Sequence, residues 1–110
     1  QQIEEIEIDR NLFDMVNMDP GGVIITAPAS EPEVDFVSRF FTPQSTILED
    51  PVTGSAHCTL IPYWSARLGK QVMTAKQISP RGGTLYCEDY GDRVLISGTA
   101  RLYSKGMIRL

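Results

Sequence analysis

The sequence predicts an α+β fold in which a curved sheet wraps one central helix. Three observations point there. Residues 54–66 run thirteen positions without Asp, Glu, Lys or Arg, and apolar or small side chains fall nearly all round the helix they would form. A helix with no charged face is covered on most sides, by the strands or equally well by a partner chain. Beyond Gly69, runs of apolar and β-branched residues, the last of them alternating with period two, are separated by the turn sequences "SPRGG" and "YGDR", the signature of strands and tight connections. Finally, 110 residues with 42% hydrophobic and 22% charged content suit one globular domain with its own core.

The elements follow in order. "IEEIEI", residues 3–8, partly alternates and reads as an exposed edge strand or a frayed end. Asp9 or Asn11 can cap a short helix carrying Leu12, Phe13, Met15 and Val16 at helical spacing. "DPGG", residues 19–22, is a turn. "VIITA", residues 23–27, reads as a buried strand, because β-branched apolar residues run together. Residues 34–41 place Val34, Phe36 and Phe40 on one side of a strand, and residues 42–51 form a loop with two prolines. The central helix is expected over residues 55–68, with Thr53 or Ser55 as its cap and Gly69 just past its end. Strands are expected at 71–79, 84–90 and 94–103, with one more turn before "MIRL".

Two features of the central helix carry chemistry. Pro62 removes a backbone donor and crowds the preceding turn, which costs ~3 kcal/mol unless a bend compensates; a bent helix is expected, the alternative being a break into two short ones. At the other end, Gly54 lets a ligand approach the backbone closely. The free N–H groups of the first turn form a partial positive charge suited to an anion. Asp50 lies just before them and Pro51 stiffens the link. "SPRGG" joins Arg81 to two flexible glycines and is a second candidate anion contact.

Other classes are set aside. A net charge of −4 with scattered basic residues argues against a nucleic-acid surface. One His and two distant Cys do not form metal-ligand pairs. Cys58 and Cys87 are too few for a disulfide framework and are expected as buried thiols in a reducing, cytoplasmic setting. No apolar run approaches the ~20 residues of a membrane span. Ser55 and His57 cannot pair as nucleophile and base, since helical positions i and i+2 point apart. His57 is expected to be a satisfied, semi-buried histidine.

"EDPVTGSAH", a helix containing "PYW" and ending "RLGK", "DFVSRFF" upstream and "SPRGG" downstream together resemble the phenazine-biosynthesis PhzF-like family. The resemblance covers roughly residues 22–103 and is densest over 35–70. It implies one diaminopimelate epimerase-like domain, α+β, with a curved, mostly antiparallel sheet around the central helix. It also implies that residues 1–110 correspond to the C-terminal half of a two-domain protein, whose two helix starts face each other across a cleft. The implied chemistry is proton transfer at carbon, an isomerase activity without cofactor, on a small carboxylate-bearing metabolite. Asp50 then matches an active-site acid, Gly54 and Ser55 match the substrate-binding helix start, and Arg81 and Gly82 match a segment near the same cleft. The family's principal acid/base glutamate belongs to the other half. A companion half in cis or in trans, or a homo-oligomer, is the expected partner, and these residues alone are expected to be inactive.

Overall fold

The computed structural model describes residues 2–16, 21–43 and 45–110. Asp19 and Pro20 of the expected "DPGG" turn lie outside them. The chain is α+β. Its order is α1 (Arg10–Asp14), β1 (Val23–Pro28), β2 (Phe36–Phe41), α2 (Gly54–Leu68), β3 (Val72–Gln77), β4 (Gly83–Asp89) and β5 (Val94–Ser97). The five strands form one sheet in the order β1-β2-β3-β4-β5. Only β2 and β3 pair in parallel, with Phe36 opposite Ala75 and Ser38 opposite Gln77. The other three pairs are antiparallel, so the one parallel step is the β2-α2-β3 connection, which needs a helix to cross the sheet.

Alternation along the strands aims Phe36 and Ser38 of β2, Met73, Ala75 and Gln77 of β3, and Leu85 and Cys87 of β4 inward, where they are buried. Leu60, Ile61 and Trp64, spaced three and four apart on α2, complete this core. The Trp64 ring stacks on Phe36 at 5.6 Å, and its indole N–H donates to Thr26 Oγ1 at 2.9 Å. Burial raises the Cys87 thiol to about 11, with the Asp35 charge adding to the effect, so this sulfur is an inert core group.

α2 departs from the expected burial on most sides. The sheet lies along one face, covering Ala56, His57, Leu60, Ile61 and Trp64, while Cys58, Thr59, Pro62, Tyr63 and Ala66 are exposed. The absence of charge tracks a face that nothing among the described residues covers. For the same reason Cys58 is exposed rather than buried. The helix runs unbroken through Pro62 and ends at Gly69, whose φ of 63° is the left-handed conformation that glycine adopts without cost.

Three further expectations change. "IEEIEI" is not a strand: residues 2–5 form turns, Ile3 is buried, and the Arg39 guanidinium gathers the segment by donating to the carbonyls of Ile3 (3.0 Å) and Ile6 (2.7 Å). Arg39 is itself held by Glu49 at 2.8 and 3.0 Å, across the isolated bridge from Phe41 to Glu49. Asp9, one of the two expected caps, accepts from the Asn11 and Leu12 N–H groups, but α1 buries nothing. β1 is only half-buried, because it is an edge strand. The last strand stops at Ser97 rather than continuing to residue 103. Residues 98–110 have no regular structure and are exposed, since alternation alone cannot hold a strand that lacks a neighbour for its ladder.

Candidate active site

α2 begins in a polar knot built from two segments. Thr53 occupies the N-cap position, yet no side chain caps the helix. Its hydroxyl donates instead to Asp50 Oδ2. The first turn carries no acid, and Gly54 and Ser55 are exposed. The helix start therefore presents N–H groups and partial positive charge to solvent, with neither a capping oxygen nor a carboxylate in the first turn to neutralise them. Asp50 stands beside this site, half-buried, with one carboxylate oxygen engaged by Thr53.

The side chain that fixes this arrangement is Gln77, at the end of β3 and 1% exposed. Its Oε1 accepts from the Thr53 N–H at 2.7 Å, and its Nε2 donates to the Asp50 carbonyl at 2.7 Å and to Thr53 Oγ1 at 3.1 Å. Using three of its four bonding positions, this buried amide ties the acid and the helix start to the sheet. Ser79 adds a second tie. Its hydroxyl donates to the Pro51 carbonyl at 2.8 Å and accepts from the Gly82 N–H at 3.0 Å. Gly82 has a φ of 69°, and a Cβ on Gly83 would stand 2.3 Å from Val52 Cγ2. The 79–83 turn is thus seated directly against the 50–53 loop.

Of the five expected site residues, Asp50 and Gly82 are hydrogen-bonded into this unit, and Gly54 and Ser55 follow Thr53 directly at the exposed helix start. Arg81 is exposed at the rim of two open hollows that flank the turn, of about 470 and 370 Å³. Val52, Gly82 and Gly83 line the smaller hollow. Gln77 was not expected, Thr53 was expected only as a helix cap, and Ser79 only as the first residue of the "SPRGG" turn. The available signal was a polar residue at an inward strand position, Gln77 following Met73 and Ala75 in the alternation.

His57 lies just inside the helix start and is fully buried. Its Nδ1–H donates to the Thr53 carbonyl at 2.7 Å, while Nε2 has no partner among the described residues. The expected satisfied, semi-buried histidine is therefore buried completely and satisfied at one nitrogen only. Ser55 faces solvent instead, so the two side chains point apart as expected. Burial pushes His57 below the usual imidazole range, with the bond to Thr53 acting in the opposite direction. Above ~6.5 the ring is neutral both folded and unfolded. As pH falls through that value the unfolded chain takes up a proton that the folded chain refuses, so stability is lost on acidification. The urea midpoint of the native chain should therefore fall further between about pH 7.5 and about pH 5 than that of His57→Gln. Equal falls in the two proteins would contradict this account.

Among the described residues no group of His, Cys, Asp and Glu could hold a metal ion, and no helix is long and apolar enough to cross a membrane.

Comparison with known proteins is consistent over most of the chain. Residues 1–106 match the family described as phenazine biosynthesis-like protein. The chain is 57% identical over 89 residues to the uncharacterized isomerase PA3578 of Pseudomonas aeruginosa, covering 81% of this chain and 33% of that protein. It is 42% identical over 100 residues to the uncharacterized isomerase BH0283 of Halalkalibacterium halodurans, covering 91% and 37%. The crystal structure of a phenazine biosynthesis protein PhzF family member from Enterococcus faecalis superposes with a TM-score of 0.81 at 48% identity, covering 98% of this chain and 40% of that one. The chain spans about a third of the length of the curated relatives it matches.

Proposed function

The chain belongs to the phenazine biosynthesis-like family, and on that premise we propose that it is the C-terminal domain of an isomerase that moves a proton at carbon without a cofactor. The substrate is a small carboxylate-bearing metabolite. The observation that carries the reading is the uncapped start of α2, with Asp50 held beside it through its carboxylate by Thr53 and through its backbone carbonyl by Gln77. Abstracting a proton from carbon leaves negative charge on the substrate, and pre-aligned N–H donors stabilise such charge where it develops. Gly54 and Ser55 supply those donors, and Arg81 and Gly82 form the rim of the same site. Asp50 exchanges or stabilises a proton at the edge of the substrate.

The principal acid/base, a glutamate, lies outside these 110 residues, in a companion half present in cis or in trans. One positioned acid or base contributes ~10²–10⁴-fold, and half a cleft neither orients a substrate nor excludes water. Residues 1–110, acting as one domain, are therefore inactive by themselves.

The same uncapped helix start favours a second reading, a non-catalytic module or self-associating remnant that binds small anions. Both readings require an anion at Gly54 and Ser55. Titration of the ¹⁵N-labelled chain with benzoate should shift the Gly54 and Ser55 amide resonances, and Ser55→Ala should weaken the response. Shifts confined to other surfaces, or binding untouched by Ser55→Ala, would remove the basis of both.

A further inference from the structure

The segment that carries Asp50 offers two acids side by side, Glu49 and Asp50. Successive residues of an extended segment point to opposite faces, so only one of the two can face α2. A slip of one residue along β2 would exchange them. The backbone does little to prevent it. The segment meets β2 at one isolated bridge, Phe41 opposite Glu49. That bridge is flanked by bonds from the Thr42 N–H to the Leu48 carbonyl at 2.9 Å and from the Asp50 N–H to the Phe40 carbonyl at 3.0 Å. None of residues 45–50 is buried, so no apolar side chain pins the register. Gln77 and Ser79 hold the carbonyls of Asp50 and Pro51, a group that every residue supplies. The Thr53 hydroxyl can donate to either carboxylate.

Arg39 is the group that reads a side chain. It follows the inward-facing Ser38 on β2 and points to the face of the sheet away from α2. Its Nε and Nη2 donate to Glu49 Oε1 at 2.8 Å and Oε2 at 3.0 Å, a bidentate pair. Each side chain is 13% exposed, so salt screens the pair little. Glu49 stands diagonally across from Arg39 on the same face, a distance that a long side chain spans. The fork is itself held in place. Its Nη1 donates to the Ile3 and Ile6 carbonyls, and the guanidinium lies 4.8 Å from the centre of the Phe41 ring.

We propose that Arg39 is a positioning residue that decides which of the two acids enters the site. By holding Glu49 on the outer face of the sheet, it leaves Asp50 on the helix side, beside the start of α2. With Glu49 replaced, a slip of one residue brings Asp50 to the guanidinium and away from Thr53. The consequence for turnover rests on the isomerase reading above, whereas the placement of Asp50 does not.

The test is nuclear magnetic resonance on the intact chain. Arg39→Met keeps an apolar stem against Phe41, and Glu49→Met keeps the bonds from Arg39 to Ile3 and Ile6. Both should weaken the Overhauser contacts between the Asp50 and Thr53 side chains. Both should also speed exchange of the Asp50 amide by roughly 10–100-fold, as loss of a bond to a charged group predicts, while β3 and β4 amides stay protected. Glu49→Asp, which keeps the carboxylate, should retain both signals. If Arg39→Met fails to fold, Glu49→Met decides, since it leaves no carboxylate unpaired. Asp50–Thr53 contacts that persist in Glu49→Met, or that vanish equally in Glu49→Asp, would overturn the proposal. Loss of β3 and β4 protection in Glu49→Met would assign the pair to general stability and overturn it as well. In an enzyme completed by the companion half, Glu49→Met should lower turnover at unchanged KM and add nothing to the loss caused by Asp50→Asn; additive losses would also overturn the proposal. An enzyme without turnover contradicts the isomerase reading alone and leaves the resonance result standing.

Discussion

Asp50→Asn, introduced into an enzyme completed by the companion half proposed above, is expected to slow solvent-deuterium incorporation into substrate by ~10²–10⁴-fold. A suitable completed enzyme is the Pseudomonas aeruginosa relative with its matching residues replaced by this chain. The amide keeps the shape of the carboxylate and can still accept from the Thr53 hydroxyl through its oxygen. It cannot take or release a proton at that position, nor carry charge there. The loss should therefore fall on turnover, with thermal stability nearly unchanged. The ties that hold the 50–53 loop run through the Asp50 backbone carbonyl and through Thr53 and Pro51, not through the carboxylate alone. A variant that retains full turnover would remove Asp50 from the chemistry.

Trp64→Ala is expected to produce the largest loss of stability, ~3–5 kcal/mol. Trp64 is 4% exposed and stacks on Phe36, itself completely buried. Truncation empties the space between α2 and β2 and also strands the Thr26 hydroxyl on one side. That hydroxyl accepts from the indole and donates to the Val37 carbonyl at 2.7 Å. Against a total of ~5–15 kcal/mol for a domain, this is enough to leave the chain partly unfolded at room temperature. Trp64→Phe keeps most of the bulk and loses only the N–H, which should cost ~1–2 kcal/mol. Urea midpoints from far-ultraviolet circular dichroism separate the two variants, since the sole tryptophan is lost from both. Equal midpoints would mean that the hydrogen bond, not the stacking, carries the contribution.

The central helix was legible because two independent signals agreed: an uncharged run and a glycine placed just past its last turn. Its role as the element the sheet packs on followed from the same run. How much of it the sheet covers did not follow, because absence of charge shows that a face is meant to be covered without showing by what. The overlong final strand has the same origin. Alternation at residues 94–103 encodes two faces, yet a strand needs a neighbour, and among the described residues only Val94–Ser97 find one on β4. Asp50, Gly54 and Ser55 were visible as a local motif. Gln77 was not, since its contacts span 24 and 27 residues and depend on β3 lying parallel to β2. Arg39 was missed for a similar reason: it binds carbonyls more than 30 residues away, and nothing in "SRFF" alone announces that reach.

The account turns on whether this chain supplies one side of a proton-transfer site. The direct measurement is deuterium incorporation, followed by mass spectrometry, into any small carboxylic acid whose carbon-bound hydrogen the intact Pseudomonas aeruginosa relative exchanges. The account predicts exchange by the hybrid carrying residues 1–110 in place of the matching segment, and none by residues 1–110 alone. A folded hybrid that exchanges nothing, or exchange by the isolated chain, would contradict it.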